Sequence, residues 1–212
     1  MAAMARTKDR QYDLAIVDPP YGIGDKLLLG GHTGTVKFHE QYVLNQWDNV
    51  TPDADYFREL FRVSQNQIVW GANYFLNHLP PTRGIISWDK NLGNPYNFSH
   101  FELAWASFDC IARRVVIGSN TGKRIHPTQK PVRLYEWLLK NYAKPGDKIL
   151  DTHGGSGSIC IACHDLGFDL DWYEIDAEYF QAAKERLERH QRQATLFTPE
   201  QPAKQEQESL SL

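Results

Sequence analysis

The chemically most suggestive stretch of the chain is the tetrapeptide Asp18-Pro19-Pro20-Tyr21. A residue before proline is held extended and a proline donates no N–H, so the Pro pair presents the Asp18 carboxylate and the Pro19 carbonyl rigidly. Two acceptors aimed one way suit an exocyclic amino group: they take both of its hydrogens and help localise its ring-delocalised lone pair for attack on an electrophile. Tyr21 adds a flat face on which a base can stack. The second stretch is Asp151-Thr152-His153-Gly154-Gly155-Ser156-Gly157-Ser158, between a strand and a helix, with Glu174 at the end of the next strand. That is the plan of a nucleoside-cofactor site. Glycines let the backbone approach a ligand, the helix N-terminus favours a carboxylate or phosphate, and the acid accepts from ribose hydroxyls. As a dinucleotide fingerprint, the run 155–160 lacks its third glycine, which disfavours an NAD-dependent oxidoreductase. The bland alternatives are a glycine turn in a non-binding protein and a Pro turn with a surface tyrosine. The co-occurrence of both motifs in one chain argues for a site.

Other residues carry weaker signals. Cys160-Ile161-Ala162-Cys163-His164 fits the haem-attachment spacing, but it falls on the helix after the glycine turn, where two small buried residues are the simpler reading. His32, His39, His78, His100 and His126 show no metal-ligand spacing, so no metal site is expected. Trp70-Gly71-Ala72-Asn73-Tyr74-Phe75 follows a predicted strand and on its own reads as a buried aromatic turn. Arg113, Arg114, Lys123 and Arg124 flank the loop 118–122 and suit phosphate contacts, the alternative being a solvated charged loop.

These motifs need elements to hold them. Residues Tyr12 to Val17 form an apolar strand that must stop before the Pro pair. Residues 22–50 are glycine-rich without a period and are expected to form a mobile loop. Thr51 caps a helix with Pro52 in its first turn and an apolar stripe running to Ser64. Short strands are expected at 67–70, 84–88, 102–107, 112–117, 148–150 and 170–173, and helices at 131–142, 159–166 and 177 to about 191. Strands alternating with helices mean an α/β fold with a mostly parallel sheet.

The chain has 212 residues, 42% hydrophobic and 23% charged, enough to bury roughly 70% of the unfolded surface in one domain. Three cysteines argue against a disulfide framework, and the absence of an apolar leader or of 18 consecutive apolar residues favours a cytoplasmic protein with reduced thiols. The net charge of −3 hides an asymmetry: residues 113–148 carry nine Lys or Arg against Glu136 and Asp147. One stretch of the chain is therefore basic although the whole is not.

Taken together, Asp18-Pro19-Pro20-Tyr21, Ile125-His126-Pro127-Thr128-Gln129-Lys130-Pro131, Asp151 to Ser158 and Tyr173-Glu174-Ile175-Asp176 resemble, in that order, the motifs of amino-group DNA methyltransferases of the permuted β class. The chain looks most like short, prophage-type members, whose glycine turn follows Asp-Thr-His. His153 departs from the aromatic residue that touches the cofactor in the wider family. The resemblance implies a doubly wound, seven-stranded sheet with helices on both faces, in which the strand before Asp18 lies beside the strand before the glycine turn. It implies S-adenosylmethionine as cofactor, with its methionine end near Asp18, Thr128 and Lys130, its ribose on Glu174, and Asp151, His153, Gly155 and Gly157 completing the cofactor site. Asp18, Pro19, Pro20 and Tyr21 would be catalytic, and Asp in the first position would favour N6 of a flipped adenine in double-stranded DNA. Asn73, Arg113, Arg114, Lys123 and Arg124 would meet the DNA.

On that reading residues 1–197 form the methyltransferase domain, residues 89–124 a small target-recognition region, and residues 198–212 a disordered tail. N4-cytosine or RNA adenine methylation, and a catalytically silent DNA-binding or clamp-associated protein, are the alternatives. Gln193-Ala194-Thr195-Leu196-Phe197 departs from the helical pattern and resembles the peptides that dock on bacterial sliding clamps, or else latches Leu196 and Phe197 onto the domain.

Overall fold

The computed structural model describes residues 1–23, 48, 50–92, 99–119, 122 and 124–197, with the last four of these as backbone only. Most of the expected mobile loop at 22–50, part of the expected recognition region, Lys123 and the tail 198–212 lie outside the described residues.

Seven strands are described: β1 (Tyr12–Val17), β2 (Ser64–Trp70), β3 (Ile85–Asp89), β4 (Phe101–Ala106), β5 (Arg113–Val116), β6 (Lys148–Asp151) and β7 (Asp169–Trp172). They form one sheet in the order β5-β3-β4-β2-β1-β6-β7. β1 pairs in parallel with β2 on one side and β6 on the other, β6 with β7, and β3 with β5. Of these strands only β4 runs against its neighbours, β2 and β3. The sheet is thus mixed but mostly parallel, as expected. Its strand β1 is almost wholly apolar because it lies mid-sheet under helices on both faces.

Four α-helices are described: α1 (Ala54–Val63), α2 (Val132–Tyr142), α3 (Ser158–Leu166) and α4 (Ala177–Phe197). On one face, Ala15 and Val17 pack with Tyr56, Phe57, Leu60 and Val63 of α1. On the other, Leu14 and Ile16 pack with Leu134 and Leu138 of α2 and with Ile159 and Cys160 of α3. The connection from β1 to β2 therefore covers one face and that from β6 to β7 the other. The carboxyl ends of β1 and β6 diverge into a crevice at this change of side.

Two local expectations are corrected. The cap of α1 is Asp53, not Thr51: its carboxylate accepts from the Tyr56 N–H at 2.9 Å, so Pro52 precedes the helix and does not open it. The last helix does not end near Gln191. α4 continues through Gln193, Leu196 and Phe197, because nothing in that run breaks a helix before Pro199.

Candidate active site

Asp18 follows β1 at the crevice, where Pro19 and Pro20 end the strand. Its two carboxylate oxygens have different partners. The Tyr21 hydroxyl donates to Oδ1 at 2.6 Å, and the Lys130 ammonium sits 2.5 Å from Oδ2. Lys130 is 3% exposed, and its ammonium also reaches Glu102 Oε2 at 3.0 Å, while Lys90 holds Glu102 Oε1 at 2.7 Å. Four groups from four segments thus form a chain of alternating charge: Asp18, Lys130, Glu102, Lys90. Burial opposes the charge on Lys130, but Asp18 and Glu102 outweigh it and hold the ammonium above the ordinary lysine range. Burial likewise works to raise the Glu102 carboxyl, and the two ammonium groups overrule it, holding it down at about 2. The Tyr21 phenol is pushed well up, first by burial and then by the Asp18 and Glu102 charges, so it is a hydrogen-bond donor.

Tyr21 is held from three sides. Its backbone N–H and that of Gly22 donate to the buried carboxylate of Asp48 at 2.5 and 3.1 Å. Its ring stacks on Tyr74, with centroids 4.8 Å apart and planes within 12°, and meets Phe75 edge-on. It also lies against Gly71, where a Cβ would come 2.1 Å from Cε1 of the ring. Gly71 has φ +71°, so only glycine meets both demands without strain. The run Trp70 to Phe75 is therefore the seat of Tyr21, and its Asn73 lines the cavity beside it.

This cavity has a volume of about 650 Å³. Asp18, Pro19, Pro20 and Tyr21 form one wall, Pro127, Thr128, Gln129 and Lys130 another, and Tyr74 and Phe101 stand at its rim, 44% and 51% exposed. Arg124 also lines it, donating to the Ser119 carbonyl at 3.1 Å. Two of the residues expected to meet DNA lie outside the cavity wall. Arg113 donates to Asn141 near the end of α2, and Arg114 pairs with Asp89, so neither lines the cavity.

The glycine turn follows β6 and does not line this cavity. The segment 126–130 lies between the two: the His126 ring is 3.7 Å from where a Cβ of Gly155 would be, and the Lys130 carbonyl accepts from Ser158 Oγ at 2.7 Å. Gly155 and Gly157 have φ +49° and +66°, the conformation that glycine adopts freely. Gly154 serves packing instead, because a Cβ there would meet the Trp172 ring at 2.3 Å. Glu174 accepts from the Gly155 N–H at 2.7 Å and the Asp176 N–H at 2.9 Å, one per oxygen, which leaves each oxygen a lone pair. Beside it Ile175 is 97% exposed. Asp151 is 1% exposed and accepts from the His153 N–H at 2.9 Å, so it shapes the turn from beneath; burial pushes its carboxyl up to about 8. The His153 ring meets Tyr56 edge-on and shares a hydrogen bond with Thr152, and burial takes its pKa down to about 4. Thr128 bonds to Nδ1 of His126, whose pKa burial and Lys130 lower to about 4.

The fold thus brings the expected catalytic residues together with Thr128 and Lys130 in one cavity, and Gly155, Gly157 and Glu174 into one turn behind it. The residues of this turn suit a nucleoside: two permissive glycines, a carboxylate with spare lone pairs and an exposed apolar neighbour. In the cavity wall the buried Gln129 amide nitrogen, a donor, finds no partner among the described residues. Sequence reasoning missed the parts played by Asp48, Lys90, Glu102 and Ile175. Only Ile175, an apolar residue directly after the acid expected to meet the ribose, left a readable signal.

Comparison with known proteins is consistent with this geometry. Residues 82–185 match the DNA methylase family N6_N4_Mtase. Type II methyltransferase M.HpaI of Haemophilus parainfluenzae is 39% identical over 69 residues, 32% of this chain and 22% of that protein. YubD of Escherichia coli (strain K12) is 36% identical over 72 residues, 34% of this chain and 32% of that protein. The chain thus spans a third or less of the length of these relatives. Among solved structures, an M1.HpyAVI–SAM complex superposes with a TM-score of 0.58 at 22% identity, over 84% of this chain and 90% of that one. PvuII DNA methyltransferase (cytosine-N4-specific) superposes with a TM-score of 0.59 at 13% identity, over 86% and 82%. These two share the fold.

Proposed function

We propose that this chain is an S-adenosylmethionine-dependent DNA methyltransferase that acts on the N6 amino group of an adenine turned out of the duplex. The observation that carries the reading is the meeting of Asp18-Pro19-Pro20-Tyr21 and the glycine turn on adjacent parallel strands, with Lys130 bridging from the third motif. The catalytic motif precedes the cofactor motif in sequence, the order of the β class. The match of residues 82–185 to a DNA methylase family supports it independently.

When bound, the cofactor supplies a methyl group on a sulfonium, which leaves as a neutral thioether once that methyl is taken. Everything else falls to the chain's own residues. Gly155 and Gly157 admit the nucleoside end, Glu174 accepts from the ribose hydroxyls, and Ile175 covers an adenine face. His153 and Asp151 support that turn. Thr128 and the Gln129 amide nitrogen, which has no partner among the described residues, offer donors to the carboxylate of the amino-acid end. Asp18 Oδ1 takes one hydrogen of the target amino group in place of the Tyr21 hydroxyl, and the Pro19 carbonyl takes the other. The nitrogen gains the methyl carbon and loses one proton, for which Asp18 is the first acceptor. Catalysis is then positioning plus electrostatics. The Tyr21 and Tyr74 pair supplies the aromatic stack for the base, worth about 1 to 3 kcal/mol against the few kcal/mol that flipping costs. Asn73 and Arg124 meet the DNA at the cavity. The stretch Gln193, Leu196 and Phe197 could engage a sliding clamp only by unwinding the last turn of α4, which a clamp pulldown tests.

Expression in a methylation-free bacterial host, followed by nucleoside analysis of its DNA, tests the proposal. N6-methyladenine is the expected product. N4-methylcytosine would overturn the base assignment, and no methylated base on DNA with cofactor bound would favour a silent DNA-binding protein.

A further inference from the structure

We propose that Glu102 is a positioning residue for the transfer reaction, holding the Lys130 ammonium in place so that it fixes Asp18 by one oxygen and leaves the other to the target. The inference rests on the reading of Asp18 as the acceptor of the target amino group. Its basis is geometric. Lys130 reaches both carboxylates from one buried nitrogen, 2.5 Å from Asp18 Oδ2 and 3.0 Å from Glu102 Oε2. With Asp18 as sole partner, the ammonium would be free to bridge both of its oxygens and compete with the incoming amino group. Glu102 draws it to one side. It is itself fixed by Lys90 from the far side and by its place on β4, where it sits opposite Trp88 in the antiparallel register.

Glu102 has a second use in the same geometry. The Tyr21 hydroxyl, which donates to Asp18 Oδ1, has Glu102 Oε2 3.4 Å away. When a substrate amino group takes Oδ1, the buried hydroxyl can turn its hydrogen to Glu102 and is not left without an acceptor, which would cost free energy in a buried site. Glu102 therefore steadies Asp18 before binding and receives the displaced donor after it, without touching the reacting atoms.

The groups facing Lys130 are Asp18 from the end of β1, Glu102 from β4 with Lys90 behind it, Asp151 from the end of β6, Tyr21 and Trp70 as rings, and His126 in its own segment. Replacing Glu102 by Gln removes one of the two charges that keep Lys130 protonated against burial and leaves Lys90 facing it. Two readouts follow. In methyl transfer by the full chain, Glu102→Gln should lower kcat roughly 10- to 100-fold, the scale of a misplaced reacting group, and the alkaline limb of the kcat profile should move to lower pH. Cofactor KM should stay within about threefold, since uniform binding is untouched. Glu102→Asp, which keeps the charge, should recover part of kcat and return the limb toward higher pH.

The second readout needs no activity: the 15N shift of Lys130 Nζ, followed against pH in wild type and Glu102→Gln, should report a lower midpoint in the variant. An unchanged midpoint, or a kcat loss with an unmoved alkaline limb, overturns the inference. Loss of the wild-type activity itself, with the midpoint shifted as expected, would overturn the methyltransferase reading and leave the electrostatic role of Glu102 standing.

Discussion

Replacing Lys130 by Met leaves two carboxylates, Asp18 and Glu102, facing one another across the place of a cation that is 3% exposed. At an effective dielectric constant of about 20, a unit charge pair 3.0 Å apart is worth about 5.5 kcal/mol, an upper figure for either contact because the ammonium's own desolvation offsets it. Removing one partner of a buried pair costs about 3 to 5 kcal/mol net, since the other charge is left uncompensated. For a chain of this size that is a fall in Tm of about 6 to 20 °C at pH 7. The pH dependence is the sharper signature. In the native protein the two ammonium groups hold Glu102 down at about 2, below its unfolded value of about 4.3, so its contribution to stability is present above pH 4.3 and is lost as the pH falls toward 2. Without Lys130 the Glu102 carboxyl titrates higher. The gap between wild type and Lys130→Met should therefore be widest near neutrality and close as the pH drops below about 4.3. Thermal unfolding by circular dichroism from pH 3 to 8 measures it, with Lys130→Arg as the charged control. A fall in Tm of less than about 3 °C at pH 7, or a gap independent of pH, would refute the reasoning.

Gly71→Ala should cost about 1 to 3 kcal/mol through its φ of +71° and displace Tyr21, whose ring would be 2.1 Å from the new methyl carbon; denaturant unfolding and methyl transfer should fall together. Calorimetry with S-adenosylmethionine should show weaker binding by Glu174→Ala, which loses the acceptor beside Gly155, and by Gly155→Val, which fills the approach at φ +49°; unchanged affinity in both would remove the proposed cofactor site. Arg124→Ala should flatten the salt dependence of DNA binding by about 0.9 in log–log slope, the share of one neutralised phosphate. Replacing the exposed Arg113 and Arg114 as well should flatten it further, and an unchanged slope would make them a solvated edge.

What could be read from the sequence was local. An apolar strand cut by a Pro pair, and a glycine run between strand and helix, are consecutive signals, so β1, β6 and their turns stood where expected. The pairing of β1 with β6 was legible only through the family resemblance, because most of the chain separates the Pro run at Asp18 from the glycine run at Asp151. Direction was harder. The expected strands at 84–88 and 102–107 left room for a parallel crossover, whereas in the structure only residues 90–100 join β3 to β4, which runs antiparallel to it. The start of α1 was read from Thr51, whereas the cap is Asp53, because it is the Asp53 side chain that reaches the third helical N–H. Glu102, Lys90 and Asp48 were invisible because their chemistry arises only when distant segments converge. Alone, each reads as a surface charge.

The central claim is that Asp18 is the acceptor of the target amino group, and methyl transfer by Asp18→Ala tests it most directly. Purified wild type and variant are supplied with labelled S-adenosylmethionine and mixed-sequence duplex DNA, the DNA is digested, and the labelled nucleoside is identified, with circular dichroism confirming that the variant is folded. Label in N6-methyladenine from the wild type and none from folded Asp18→Ala is the predicted result. Equal label from both proteins would contradict the account.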